Sequence, residues 1–170
     1  MASARTAVDR LAARRERVVP PLLEEPALAL DAQLCFALYS ASLAMTKRYR
    51  EPLQALGLTY PQYLVMLALW EQDGLSVSEL GERLFLDSGT LTPLLKRLEA
   101  VQLLERHRAA VDERRVLVML TPAGRALRRR ALPLPEALGQ ATGCSADELA
   151  ALNAMLCRLR DQLGAADAPG

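Results

Sequence analysis

The sequence predicts a mainly α-helical fold with one small β-hairpin, in the α+β class. Leu, Ala, Arg and Glu dominate its 170 residues, and these residue types favour helices. Two short amphipathic patterns, each with a polar residue at its start, follow one another across a three-residue joint. Two further short runs come directly after them, the second rich in Val and Leu, and a few polar residues separate the two runs, which is typical of a hairpin.

The composition excludes several classes of protein. Hydrophobic residues make up 51% and charged residues 24%, which is the balance of a globular chain with a sizeable core. The longest apolar run, Tyr63–Trp70, has eight residues and is too short for a membrane span of roughly 20 residues. The three cysteines form no CxxC pair and show no metal-ligand spacing, and His107 is the only histidine. We therefore expect a cytoplasmic protein with free thiols, without a metal, cofactor or membrane contact, and not an enzyme.

The first part of the chain predicts an arm and a long helix. Residues 1–28 contain prolines that prevent a continuous helix, so we expect a flexible N-terminal arm. From Leu30 to Leu56 apolar residues recur at helical spacing until Gly57 ends the pattern. A helix of this length, about 40 Å at 1.5 Å per residue, exceeds what a small monomer can cover. We therefore assign residues 29–57, together with 122–164 near the C-terminus, to a dimer interface.

The middle of the chain predicts a helix-turn-helix. Thr59 to Gln62 and Ser76 to Glu79 both fit capping boxes, which start helices Tyr60–Glu71 and Val77–Leu84. Asp73-Gly74 ends the first of these helices. The next helix is predicted over Ser88–Val101, with Phe85-Leu86-Asp87 as the joint. Pro93 lacks a backbone N–H, so we expect the first turn of this helix to be bent or to begin after Ser88.

The remaining elements complete a winged helix-turn-helix over residues 58–121. Leu103–Arg108 and Arg114–Thr121 are predicted strands with a tip between them. Thr121-Pro122 starts a helix to Leu132, which Pro133 and Pro135 interrupt. A third capping box at Ser145 starts the last helix, which carries a leucine stripe, and residues 165–170 are expected to form a disordered tail.

Charge and polarity point to DNA as a partner. From Lys96 to Arg130 there are ten Lys or Arg and four Asp or Glu, so this segment carries +6 in a chain of net charge +1. One face of the Ser88–Val101 helix is apolar, and the opposite face is polar and cationic, as a helix in the major groove requires. A polar face is in itself most often only a solvated one. The candidate groove residues are Ser88, Thr90, Thr92, Lys96 and Arg97, and the candidate phosphate contacts are Arg106, Arg108 and Arg115.

A second constellation joins Cys35 to the tyrosines. All four tyrosines fall within 29 residues that start at Cys35. Tyr39 shares a helix face with Cys35, and Tyr49 returns to within about 40° of that face at 100° per residue. Phenolic hydroxyls can donate hydrogen bonds to a thiolate and so favour its formation, and a thiolate attacks the O–O bond of a peroxide. The alternative is that Cys35 is a small core residue and that the tyrosines only pack.

The sequence also resembles a known family. The run LSVSELGERLFLDSGTLTPLLKRLEAVQLLER and the following DERRVLVMLTPAGRAL are similar to the core of the MarR family of winged-helix repressors. Members of that family are dimers that bind palindromic operators and release them on a chemical signal. The resemblance implies that Asp112 and Arg114 are the wing-tip pair, with Arg114 in the minor groove and Asp112 orienting it. The alternative for this pair is a solvated salt bridge of the hairpin.

The segment LDAQLCFALYSASLAMTKRYREPLQALGLTYPQYLVMLALWEQ resembles the sensing segment of the organic hydroperoxide sensors, the OhrR branch of the same family. The resemblance implies that Cys35 is the peroxidatic cysteine, that Tyr49 and Tyr60 hold its thiolate, and that Tyr39 lines the same site. In two-cysteine members a disulfide then forms with a cysteine near the C-terminus of the other subunit. For that role we favour Cys144, in a polar loop, over an external thiol or Cys157, which we expect to be buried.

These inferences combine into one functional hypothesis with two alternatives. The hypothesis is a homodimeric repressor that binds a pseudo-palindromic operator in double-stranded DNA when reduced and releases it when organic hydroperoxide oxidises Cys35. The first alternative is a repressor of the same family that a small phenolic or hydrophobic ligand controls, with a structural Cys35. The second is a thiol peroxidase that only resembles a regulator.

Overall fold

The computed structural model describes residues 28–108 and 115–166. The chain divides into two units, and the boundary between Met45 and Thr46 falls within the long helix α1, Leu34–Gln54. The α+β class expected from the sequence is confirmed, with helices and one small antiparallel sheet. No helix in the described ranges has both the length and the apolar character needed to cross a bilayer.

In the first unit the helix begins later than the sequence predicts. Leu30–Ala32 form a 3₁₀ turn, and Gln33 has an extended backbone with φ −82° and ψ 119°. The α-helix therefore begins at Leu34 and not at Leu30. Side-chain periodicity cannot distinguish one 3₁₀ turn from the first turn of an α-helix, because both place apolar residues at similar spacing.

The second unit begins with the end of α1 and continues with α2, Tyr60–Glu71. Gly57 ends the preceding turn with φ +72°, and the Leu58 N–H donates to the Leu53 carbonyl at 2.9 Å. Helix α2 is apolar on almost every side and lies in the core. Its buried residues are Gln62, Tyr63, Val65, Met66, Ala68 and Leu69.

Two short helices follow in the predicted order. Helix α3 spans Val77–Leu84, and the capping box before it is complete. The Glu79 N–H donates to Ser76 Oγ at 3.2 Å, and the Ser76 N–H donates to Glu79 Oε2 at 2.7 Å. Helix α4 spans Ser88–Ala100. Of the two effects expected from Pro93, a bent first turn or a later start, the later start is wrong, because the Asp87 side chain accepts the Thr90 N–H at 2.9 Å and caps the first turn at Ser88.

The wing contains a strand that the sequence did not indicate. Strands β2, Leu104–Arg108, and β3, Val116–Leu120, pair antiparallel, with Leu104 opposite Leu120. A two-residue strand β1, Leu75–Ser76, adds to the other edge of β3, so the order is β1-β3-β2. A strand of two residues is too short to show alternation, and its partner is distant in the chain. Both hairpin strands are slightly shorter than predicted.

Three helices complete the chain. Helix α5 spans Pro122–Ala131, and the Gly124 N–H donates to Thr121 Oγ1 at 3.0 Å, as expected for an N-cap followed by proline. The interruption is confined to Leu132 and Pro133, and Pro135 lies in the first turn of a further helix, α6, Leu134–Ala141, which was not predicted. Proline is tolerated in a first helical turn, where its missing N–H would have no intrahelical acceptor.

The last helix, α7, spans Ala146–Ala166. Its capping box is present, since the Ser145 N–H donates to Glu148 Oε2 at 2.9 Å and the Glu148 N–H donates to Ser145 Oγ at 3.2 Å. The disordered tail expected from residue 165 is wrong for residues 165 and 166, which continue the helix. The rest of that tail lies outside the described residues.

Candidate DNA-binding surface and thiol site

Helix α4 has one buried face and one exposed cationic face. Leu91, Leu95 and Leu98 are fully buried and fix the helix against the core. Lys96 and Arg97 are exposed on the other side, and neither forms an ion pair within the described residues. Of the other candidates, Ser88 and Thr90 are exposed and Thr92 is half-buried. The helix therefore presents two free positive charges and several hydroxyls, which are the groups that contact phosphates and base edges.

Asp87 orients the polar start of this helix. Its carboxylate accepts hydrogen bonds from the Thr90 N–H at 2.9 Å and from the Thr90 hydroxyl at 2.8 Å. These bonds from the Thr90 hydroxyl and backbone hold the pKa of Asp87 below its ordinary value. Because the Thr90 hydroxyl donates its hydrogen to Asp87, its oxygen remains available as an acceptor for another donor. From the sequence, Asp87 is predicted only as a joint residue, although an Asp three residues before Thr90 is a recognisable N-cap signal.

Arg106 has a different environment from the one expected. Its guanidinium donates to Glu99 Oε2 from Nε at 3.0 Å and from Nη2 at 2.6 Å, and its backbone N–H donates to Glu99 Oε1 at 3.2 Å. These bonds hold the pKa of Glu99 below its ordinary value. The pair ties β2 to α4 and satisfies the charge of Arg106 within the chain, at a partly exposed position. This geometry favours a structural role for Arg106 over the phosphate contact expected from the sequence.

The other wing residues differ in their surroundings. Arg108, at the end of β2, is exposed. Arg115 is about half-exposed and lies 3.3 Å from Glu79 Oε1 on α3, a solvated pair of modest strength. His107 is exposed, with Nε2 at 3.1 Å from Glu105 Oε2. Asp112 and Arg114, the expected wing-tip pair, lie outside the described residues.

Cys35 and Tyr39 lie in the first unit. Cys35 is a free, exposed thiol on the first turn of α1. Tyr39 follows one turn later and is 61% exposed. Neither side chain belongs to the hydrophobic core that the described residues form. The alternative interpretation of Cys35 as a small core residue therefore finds no support in the fold of the single chain.

The other three tyrosines form a cluster in the second unit. The ring centroids of Tyr49 and Tyr60 are 5.0 Å apart, and those of Tyr49 and Tyr63 are 5.8 Å apart. Burial raises the pKa of Tyr49, and the neighbouring Tyr60 adds to this effect. Burial likewise raises the pKa of Tyr63. A phenol with a raised pKa stays protonated at neutral pH and can act as a hydrogen-bond donor.

Trp70 extends this cluster from Tyr63 toward α5, a contact that the sequence did not predict. The Tyr63 ring meets the Trp70 ring edge to face at 6.2 Å. Trp70 Nε1–H donates to the Gly124 carbonyl at 2.8 Å, at the start of α5. The three-residue spacing of Tyr60 and Tyr63 on one helix indicated a shared face. Nothing local in the sequence indicated the bond from Trp70 to Gly124.

The two C-terminal cysteines are both accessible. Cys144 is exposed in the short segment between α6 and α7, as expected, and its N–H donates to Thr142 Oγ1 at 3.1 Å. Cys157 on α7 is half-exposed, so the expectation that it is buried is wrong. Helix α7 has no buried residue among its described side chains, so Cys157 keeps part of its surface exposed, as Leu152 and Met155 do on other sides of the helix. In the described ranges, no three His, Cys, Asp or Glu side chains come together as a metal-binding group.

The chain is similar to several known transcriptional regulators. The family model of the SarA/Rot transcriptional regulators matches residues 47–130. The HTH-type transcriptional regulator TtmR of Methylorubrum extorquens is 50% identical over 90% of this chain and 78% of its own. The organic hydroperoxide resistance transcriptional regulator of Bacillus subtilis is 45% identical over 80% of this chain and 92% of its own.

Among solved structures, reduced AbfR of Staphylococcus epidermidis bound to DNA superposes with a TM-score of 0.67 and 32% identity. That similarity covers 85% of this chain and 99% of AbfR. Identity above 30% over most of both chains extends the similarity from the fold to the family. The chain belongs to the MarR-type family of winged-helix transcriptional regulators, as its helix-turn-helix and wing predicted.

Proposed function

We propose that this regulator is a redox-sensing repressor, which binds a pseudo-palindromic operator as a reduced homodimer and releases it when organic hydroperoxide oxidises Cys35. The observation that carries the proposal is the pairing of the Tyr49 and Tyr60 rings, whose centroids are 5.0 Å apart. Two neighbouring phenolic hydroxyls can both donate hydrogen bonds to a thiolate. The 45% identity to the Bacillus subtilis organic hydroperoxide regulator supports the same assignment.

For DNA binding, we propose that α4 enters the major groove. Lys96 and Arg97 supply positive charge that no carboxylate within the described chain neutralises. Ser88, Thr90 and Thr92 supply hydroxyls for base edges or phosphates. The proposed wing contacts to phosphates and the minor groove are Arg108, Asp112, Arg114 and Arg115.

The homodimer is proposed to form through residues 29–57 and 122–164. Helix α7 supports this assignment because its described side chains include no buried residue, although the helix carries a leucine stripe. Leu152 is 50% exposed, Met155 57% and Leu163 61%. An apolar stripe of this extent on one helix is typical of an interface. We place the dimer in the cytoplasm, where its free thiols remain reduced.

In the proposed sensing reaction, the Cys35 thiolate attacks the terminal oxygen of the hydroperoxide. An S–O bond forms and the O–O bond breaks, so the sulfur loses two electrons and the peroxide gains them. The leaving alkoxide takes a proton and departs as an alcohol, and Cys35 becomes a sulfenic acid. The hydroxyls of Tyr49 and Tyr60 stabilise the thiolate before attack, and Tyr39 lines the site.

The sulfenic acid is then proposed to condense with Cys144 of the partner subunit. An S–S bond forms and water leaves, which needs no further oxidant. The exposure of Cys144 between two helices supports this choice, because a resolving thiol must reach its target. Since the disulfide joins the two subunits, it shifts the two DNA-binding lobes as bodies and separates the two copies of α4.

A DNA-binding titration with and without an organic hydroperoxide tests the proposal. Wild type and Cys157→Ser, the matched cysteine control, are expected to release DNA on oxidation. Cys35→Ser is expected to keep DNA bound, and Cys144→Ser is expected to release it poorly unless a small thiol is added.

Two results would contradict the proposal. Normal release by Cys35→Ser would indicate a repressor that a small phenolic or hydrophobic ligand controls, with a structural Cys35. Multiple turnover of peroxide with a thiol reductant, together with no DNA binding, would indicate a thiol peroxidase.

A further inference from the structure

Asp87 and Thr90 are joined by two hydrogen bonds at the start of α4. The Thr90 N–H donates to Asp87 Oδ1 at 2.9 Å, and the Thr90 hydroxyl donates to Asp87 Oδ2 at 2.8 Å. Each carboxylate oxygen therefore accepts one of the two bonds. A Cβ on the intervening Gly89 would lie 3.0 Å from Asp87 Oδ1, so the absence of a side chain there leaves the carboxylate room for both bonds. We call this arrangement the Asp87–Thr90 pair.

The direction of the hydroxyl bond follows from the ionisation of Asp87. The bonds from Thr90 hold the pKa of Asp87 below its ordinary value, so this side chain is an ionised carboxylate at neutral pH. An ionised carboxylate accepts hydrogen bonds and has no proton to donate. The single hydroxyl hydrogen of Thr90 is therefore committed to Asp87, and toward DNA the oxygen acts only as an acceptor.

The other two hydroxyls of this surface are not fixed in the same way. The side chains of Ser88 and Thr92 form no hydrogen bond within the described residues. A hydroxyl that is free to rotate can donate to one base and accept from another, so it discriminates little between them. Of the three hydroxyls, Thr90 is thus the one whose hydrogen-bonding polarity the protein itself sets.

The major-groove edges of the four bases differ in this polarity. The amino groups of adenine N6 and cytosine N4 are donors, whereas guanine O6 and thymine O4 are acceptors. We propose that the Asp87–Thr90 pair selects a base with an amino group, with Thr90 as the specificity-determining residue and Asp87 as the residue that positions it. This specificity rests on the proposed function, in which α4 enters the major groove. Guanine or thymine at the same position would oppose two acceptors without a hydrogen between them.

Asp87→Asn reverses the polarity of the hydroxyl and keeps the helix cap. Asparagine is as good an N-cap residue as aspartate, so its amide oxygen can still accept the Thr90 N–H. Its amide NH₂ group then faces Thr90 Oγ1 and donates to it, which frees the hydroxyl hydrogen for a base. The variant is therefore expected to prefer guanine or thymine where wild type prefers adenine or cytosine.

The measurement begins with a randomised duplex DNA library, from which the reduced full-length protein selects its preferred sites. The position at which Thr90→Val loses discrimination identifies the base that Thr90 contacts. Affinities for the four duplexes that differ only at that base pair are then compared by fluorescence anisotropy. Wild type is expected to favour the amino bases roughly fivefold in each half-site, and Asp87→Asn is expected to invert this ratio. The loss of the Asp87 charge raises the affinity for all four duplexes alike, so the ratio is the readout.

Two double variants serve as matched controls. Asp87→Asn/Thr92→Val is expected to show the inverted ratio, because Thr92 forms no hydrogen bond to Asp87. Asp87→Asn/Thr90→Val is expected to show the same ratios as Thr90→Val alone. If Asp87→Asn still changes the base preference without the Thr90 hydroxyl, Asp87 contacts the base itself and its positioning role is overturned.

The outcomes separate this specificity from the proposed function. If wild type selects no DNA sequence, the proposed repressor function fails. If wild type selects a sequence but prefers guanine or thymine at the Thr90 position, or if Thr90→Val changes no position, the selection of amino bases is overturned although DNA binding stands. If Asp87→Asn keeps the unfolding midpoint and also the base preference of wild type, the positioning role of Asp87 is overturned.

Discussion

Removing the exposed cations of α4 is expected to change the salt dependence of DNA binding, whereas removing the paired Arg106 is expected to leave it unchanged. Lys96 and Arg97 have no ion pair within the described residues, whereas Arg106 donates twice to Glu99. Each phosphate contact contributes about 0.9 to the slope of log affinity against log salt. In the proposed dimer, Lys96→Gln/Arg97→Gln removes two contacts if one of these cations meets a phosphate and four contacts if both do.

The plot of log affinity against log salt is therefore expected to be less steep for the double variant than for wild type, by about 1.8 to 3.6. Between 50 and 200 mM salt, wild type would therefore lose roughly 12-fold to 150-fold more affinity than the double variant. Arg106→Gln is the control, and its slope is expected to equal that of wild type although the protein is less stable. The measurement is fluorescence anisotropy with operator DNA over this salt range. An unchanged slope in the double variant would refute the assignment of α4 as the DNA-contacting surface. An equal reduction in Arg106→Gln would refute the structural role assigned to Arg106.

Two further predictions concern stability. A Cβ on Gly124 would overlap the Leu103 carbonyl oxygen, so Gly124→Ala is expected to cost more than about 3 kcal/mol in chemical denaturation. Gly164→Ala on α7, where a Cβ would meet no atom within 4 Å, is expected to be neutral or to stabilise by up to about 1 kcal/mol. Similar denaturation midpoints for the two variants would contradict the close approach of Gly124 to the Leu103 carbonyl. The bonds from Arg106 lower the pKa of Glu99, so the stabilisation they provide is full above its ordinary value near 4.5 and is lost as the pH falls below it. The difference in unfolding free energy between wild type and Glu99→Gln should therefore shrink from pH 6 to pH 3, and a constant difference would show that the Glu99 charge does not contribute.

The sequence by itself determined the elements that depend on neighbouring residues. Ser76 and Glu79 are three residues apart, and their reciprocal bonds start α3 at the predicted residue. The leucines of α4 recur at helical spacing, so the sequence also predicted which face is buried. Capping and periodicity act over one to three turns, and for that reason the order of helices and strands was readable without coordinates.

The tertiary structure decided the features whose partners are distant in the chain. Leu75 pairs with Val118 in the sheet, and Trp70 donates a hydrogen bond to Gly124, 54 residues away, so no local sequence pattern indicates either contact. The partner of Arg106 was equally unpredictable, because an arginine seven residues from a glutamate pairs with it only when a strand folds back on a helix. Local chemistry therefore determined what each segment becomes, and packing alone decided which charges remain free on the surface to meet a ligand or DNA.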